Sequence, residues 1–151
     1  MSDTASWAAV GVSVLALGNS IWTRLAAGYQ RRKNAIKQIL DHWETGSRLR
    51  NLTIRSDAFM QGLSKSVKAW RGVCQDGLEA VRSGRERTLI REAQKAAIPV
   101  DSILDSFLAG DMSGMSRLDD EITRMQEHIE LRMQDLAKST GRDLEPRERE
   151  L

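Results

Sequence analysis

TASWAAVGVSVLALGNSIWT, residues 4–23, carries no charged side chain, and where this run is buried decides the architecture. At about 1.5 Å per residue, a helix over it approaches the ~30 Å of hydrocarbon in a bilayer. Its large aliphatics are Val10, Val12, Val14, Leu15, Leu17 and Ile21, diluted by Ser6, Ser13, Asn19 and Ser20, so it lies near the lower limit for a span. The flanks favour the bilayer. Trp7 and Trp22 bracket the run at the two headgroup levels, and Arg24, Arg31, Arg32, Lys33 and Lys37 follow it, whereas only Asp3 precedes it. This excess of Lys and Arg on one side predicts a single-pass anchor with the N-terminus outside and the bulk of the chain cytoplasmic, against the anionic inner leaflet.

Within the run, Ser6, Ala9, Ser13, Ala16 and Ser20, continued by Thr23 and Ala27, recur at steps of three and four and share one helix face. Val10, Val14, Leu17 and Ile21, with Trp7, form the opposite face. Apolar surface gains nothing by hiding from lipid tails, so a face of small residues lets spans approach closely and gain packing instead. Association of spans, as a homo-oligomer, is the expectation. The competing reading is a core helix of a soluble bundle. A cleaved signal peptide fits poorly, because no Lys or Arg precedes the run and Arg24 comes before the first small-residue cleavage site, at Ala26 and Ala27.

Outward from this run the pattern stays helical. Tyr29, Ile36, Leu40 and Trp43 extend the first helix until Gly46, and Ser56 or Asp57 opens a second with Phe59, Leu63, Val67, Trp70, Cys74, Leu78 and Val81 on one face. The other face of that helix carries Lys65, Lys68, Arg71 and Arg82. Ser83 and Gly84 break the pattern, and helices over 85–97 and 99–109 are expected on either side of Ile98 and Pro99. After the loop at residues 110–114, Leu118, Ile122, Met125, Ile129 and Leu136 mark a coiled-coil-like stripe on a last helix over 115–139, interrupted by Arg132. This stripe is the expected bundle or partner face. The expected fold is all-α: a transmembrane anchor over 1–27, a cytoplasmic helical bundle over 28–139, and a flexible charged tail over 140–151.

Composition agrees, with 11 Gly, 2 Pro and seven aromatic residues in 151, four of them Trp. Such a chain builds its core from aliphatics and Met on helices. The net charge of +2 conceals a division: residues 24–95 hold 16 Lys or Arg against 7 Asp or Glu, and residues 96–151 hold 7 against 13. A basic segment beside an apolar one suits anionic lipid, and it equally suits the chain's own acidic half. Cys74, the lone cysteine, sits in an apolar run and reads as a buried structural thiol.

Chemistry is not legible. The two histidines, His42 and His128, stand outside any HExxH, CxxC or Glu-x-x-His spacing, and the chain has no glycine-rich phosphate loop and no GxSxG. The cluster Asp119, Asp120, Glu121 reads as the acidic first turn of a helix. The expectation is a protein without catalytic residues, metal or cofactor. Basic residues around Trp70 form no nucleic-acid reading module, leaving only salt-sensitive backbone contact in that direction. Three functions fit: a membrane-anchored adaptor that self-associates and docks a partner protein, an oligomeric membrane-active or lysis-type effector, and a soluble helical subunit of a nucleic-acid or protein assembly.

Overall fold

The computed structural model describes residues 3–46, 57–142 and 144, with the side chains of residues 3–12, 14, 45–46 and 57–58 outside that description. Five α-helices make up the described chain: α1 (Asp3–Gly46), α2 (Asp57–Ala80), α3 (Gly84–Ala96), α4 (Ile98–Leu108) and α5 (Leu118–Ser139), with a 3₁₀ turn at Met115–Arg117. The described residues contain no strand. The all-α expectation holds, and the helix boundaries fall within one to three residues of those read from the sequence.

α1 runs unbroken through the expected boundary at residue 27, as its lack of proline allows. Its last three turns bury Ile36, Ile39 and Leu40 against the other helices, whereas Leu15, Leu17, Ile21, Trp22, Leu25 and Tyr29 are exposed. The helix is therefore half core element, half projection. α2 lies antiparallel to it, since Trp43 meets Trp70 at a ring-centroid distance of 5.5 Å and Gly77 meets Ile39. α3 returns down the bundle and α5 comes back up beside it, joined by Arg132 to Glu92 and by Ser139 to Glu86.

The core is aliphatic, as its composition requires. Met60, Cys74, Val81, Ile90, Val100, Leu104, Ile129, Met133 and Leu136 are all essentially inaccessible. Burying such side chains stabilises by roughly 1.5–3 kcal/mol each before conformational entropy is counted. On α5, Leu118, Ile129 and Leu136 are buried while Ile122 and Met125 pack partly buried against the core, so the stripe serves the bundle. Where Arg132 interrupts the heptad, Met133 takes the core position.

Two helix ends show why the chain turns where it does. Gly110 (φ +91°) and Gly141 (φ +70°) take the left-handed conformation that closes α4 and α5, with Asp111 N–H donating to Ser106 O at 2.8 Å and Arg142 N–H to Ala137 O at 3.0 Å. The second closure aims Arg142 at α1, where it pairs with Asp41 at 2.9 Å and Glu44 at 2.8 Å. Within the segment expected as a flexible charged tail, 140–151, Arg142 is thus docked and Leu144 packs against the core. Residues 143 and 145–151 lie outside the described residues.

Gly77 marks the closest approach of α1 and α2. A Cβ there would run into Ile39 Cδ1, with Ile90 Cδ1 3.8 Å away. Gly77→Val should cost about 1–3 kcal/mol through overpacking. Gly72, exposed on the same helix with no atom within 4 Å of an added Cβ, should behave oppositely: Gly72→Ala should gain up to about 1 kcal/mol of helix propensity. Urea denaturation of the two variants checks both signs.

Among the described residues no helix is long and apolar enough to cross a membrane. Half of the charge-free run lies among residues whose side chains are not described, and the transmembrane part of the expected architecture is unsupported by the remainder.

Candidate functional site

From Ser13 to Arg31 the described side chains of α1 are exposed, over about 27 Å of helix. Leu15 is 75% exposed, Trp22 73% and Leu25 64%. One helix in water gains nothing from this apolar surface and makes few stabilising contacts, which makes the projection the candidate contact surface among the described residues. Ile21, Trp22, Leu25 and Tyr29 lie on the same helical face as Ile36, Ile39 and Leu40, the face that enters the core lower down. The stripe is continuous; its cover is not.

The small-residue face is exposed over the upper part of the projection and, at Ala27, borders a shallow groove against Asp76 and Ala80 of α2. Ser13, Ala16 and Ser20 are exposed there, and Thr23 Oγ1 donates to Asn19 O at 2.8 Å within the helix. Lower down, the same face carries Ala27 and the pair Gln30 to Asn34, whose side chains bond at 3.0 Å. Ser6, Trp7 and Ala9 belong to the helix by backbone, and their side chains lie outside the described residues.

Where the projection meets the bundle, one charged residue is committed. Arg32 forms a two-point pair with Glu86 on α3, its Nε donating to Oε2 at 2.7 Å and its terminal nitrogen to Oε1, and Ser139 Oγ of α5 donates to the same Oε1 at 3.1 Å. The Glu86 side chain is 4% exposed and that of Arg32 34%. The Arg32 bond holds the Glu86 carboxyl below its ordinary 4.5, against burial, which pulls the other way. Of the basic residues expected after the apolar run, then, Arg24, Arg31, Lys33 and Lys37 are exposed, while Arg32 is turned into the bundle to pin α1, α3 and α5 together.

The middle of the basic face of α2 is likewise spent internally. Lys68 Nζ donates to Asp101 at 2.9 Å and to Asp105 at 2.7 Å, and Arg71 bonds the other oxygen of Asp101. Burial alone would raise the Asp101 carboxyl, but the bonds from Lys68 and Arg71 outweigh it and hold the group below its ordinary 3.8. These pairs join the basic half to the acidic half, so part of the charge division is folded into the molecule.

Cys74 is fully buried, its thiol pushed up to about 12 by desolvation, which makes it a core residue as its sequence context indicated. His42 stacks on Trp70 at 6.0 Å. No group of three or more His, Cys, Asp or Glu that could hold a metal ion occurs among the described residues. Glu86 and Asp101, the two buried carboxylates, escaped sequence reading because their partners lie 30–54 residues away. Only the opposed charge of the two halves hinted at the Asp101 pairs, and nothing local signalled Arg32 to Glu86. A search for similar proteins gives no lead: no family model, curated protein or solved structure matches the chain.

Proposed function

We propose that the chain is a non-enzymatic helical adaptor held at a membrane by the projecting half of α1, which self-associates through its small-residue face while the bundle docks a partner protein. The observation that carries this reading is the bare apolar projection, with Leu15, Leu17, Ile21, Trp22 and Leu25 exposed on a helix rooted in a packed core. Lipid covers such a surface at no entropic cost to a partner chain, and a charge-free run flanked by Arg24 and Arg31 has the polarity of an anchor with a cytoplasmic bundle. Ser13, Ala16 and Ser20, exposed on the upper part of α1, leave room for a second copy.

Carbonate washing of membranes from expressing cells tests it. The full chain should stay in the pellet and, in mild detergent, migrate as an oligomer; a chain beginning at Gly28 should be soluble and monomeric. A full chain released by carbonate would instead place the projection in a protein interface.

A further inference from the structure

The apolar projection leaves the bundle at one end, and the same end carries basic residues from a second segment. α2 climbs antiparallel to α1, with Trp70 level with Trp43, Gly77 against Ile39, and Ala80 facing Ala27, Arg31 and Asn34 across a shallow groove. The turn that follows, residues 81–83, therefore stands at the root of the projection, and the pair from Arg32 to Glu86 fixes the first turn of α3 there too. Arg82 and Arg85 flank this turn and are exposed, as are Arg31 and Lys33 on α1. The structure thus gathers four cations around the point where an uncovered apolar helix emerges. Of the acids at this end, Asp76 shares the groove with Arg31, Glu79 sits on α2 below the turn, and Glu86 is neutralised by Arg32, so the cations outnumber the exposed acids.

We propose that this collar is a docking surface for anionic phospholipid headgroups, which seats the bundle upright against the membrane with the α2–α3 turn facing the lipid. The inference rests on the anchor reading above and adds which face of the bundle meets the bilayer. Spacing supports it. Arg31 lies seven residues beyond Arg24, about 10 Å along the axis, and a headgroup layer is roughly 5–8 Å deep. Exposed Leu25 and Tyr29 occupy that interval, where an amphipathic ring is at home, and long basic side chains from the collar reach back to the phosphates. Lys68 and Arg71, the cations nearest the middle of the bundle, are held by Asp101 and Asp105 and do not compete.

The test uses the full chain with Ser83→Cys, labelled with an environment-sensitive dye, in vesicles of phosphatidylcholine alone or with phosphatidylglycerol, each containing a headgroup quencher. Ser83 makes no side-chain capping bond and Cys74 is buried, so the label is selective and leaves the turn intact. Quenching should be strong with phosphatidylglycerol, weak without it, and lost in high salt. Each cation near an anionic surface shifts the docked population about fivefold, so R82E/R85E should lower the docked-to-undocked ratio at least about 25-fold, while K65E leaves it unchanged. If the chain floats with both vesicles but its quenching ignores lipid charge, the collar is wrong and the anchor stands. If the chain floats with neither, both fail.

Discussion

Replacing Trp70 by Ala should remove about 3–5 kcal/mol of bundle stability, a large share of the roughly 5–15 kcal/mol that a domain possesses. Trp70 is 5% exposed and ties α2 to two other helices: its ring meets Trp43 at 5.5 Å and His42 at 6.0 Å on α1, and its Nε1–H donates to Ala93 O on α3 at 3.2 Å. That carbonyl lies in the last turn of α3, where the N–H of Ala97 turns to Gln94 and Lys95 instead. The indole thus fills space and satisfies a helix end at once. Trp70→Phe separates the two contributions. It keeps most of the packing and leaves the Ala93 carbonyl short of a donor, for about 1–3 kcal/mol. Guanidinium denaturation followed by far-ultraviolet circular dichroism measures both, and a cost below about 1 kcal/mol for Trp70→Ala would show that α1 is not held by this cluster.

Arg32→Met is the second change with a large expected effect, and its pH dependence is the informative part. Breaking a buried pair typically costs about 3–5 kcal/mol; because a third of the Arg32 side chain reaches water, about 2 kcal/mol is expected at pH 7. In the parent chain Glu86 titrates below its ordinary 4.5 when folded, so its contribution is complete above that value and is lost as pH falls through the folded value. Asp101 adds a loss of the same sign below 3.8. Without Arg32, burial dominates and raises the Glu86 carboxyl, so the folded variant prefers it protonated. The gap between variant and parent should then narrow as pH drops from 7 toward 4. Adding Glu86→Gln should recover most of the loss at pH 7, because no charge is left buried without a partner. Melting temperatures across that pH range decide the matter, and a gap that stays constant would mean that Arg32 acts through packing alone.

The sequence revealed the helices because their signals are local. Apolar residues at steps of three and four, the break at Ser83 and Gly84, and Pro99 each act within a turn or two of where they stand. The α5 stripe was legible for the same reason, and its one misreading is instructive. A strict heptad puts Arg132 inward, but a straight helix of 3.6 residues per turn drifts from that repeat, and Met133 comes round to the core while Arg132 reaches Glu92. Arg32 was grouped with its neighbours as an interfacial cation because nothing within a turn of it announces Glu86, 54 residues away. The collar was hidden likewise. Arg82 and Arg85 reach the same end of the bundle as Arg31 only once α2 has doubled back on α1, a tertiary consequence that no window of the sequence contains.

Because α1 has no proline or break between Asp3 and Gly46, its upper and lower halves share one angular phase. Each residue advances the helix by about 100°, so the azimuth at which the upper half presents its faces is geared rigidly to the direction in which the bundle points. A single Ala inserted after Gly28 would swing Trp22 and Ser20 by about 100° relative to the collar, whereas four would restore them to within about 40° and merely lengthen the shaft by about 6 Å. Twist applied to the upper half is carried along the continuous helix to the bundle. The molecule is in this sense a crankshaft, with the bundle as its throw.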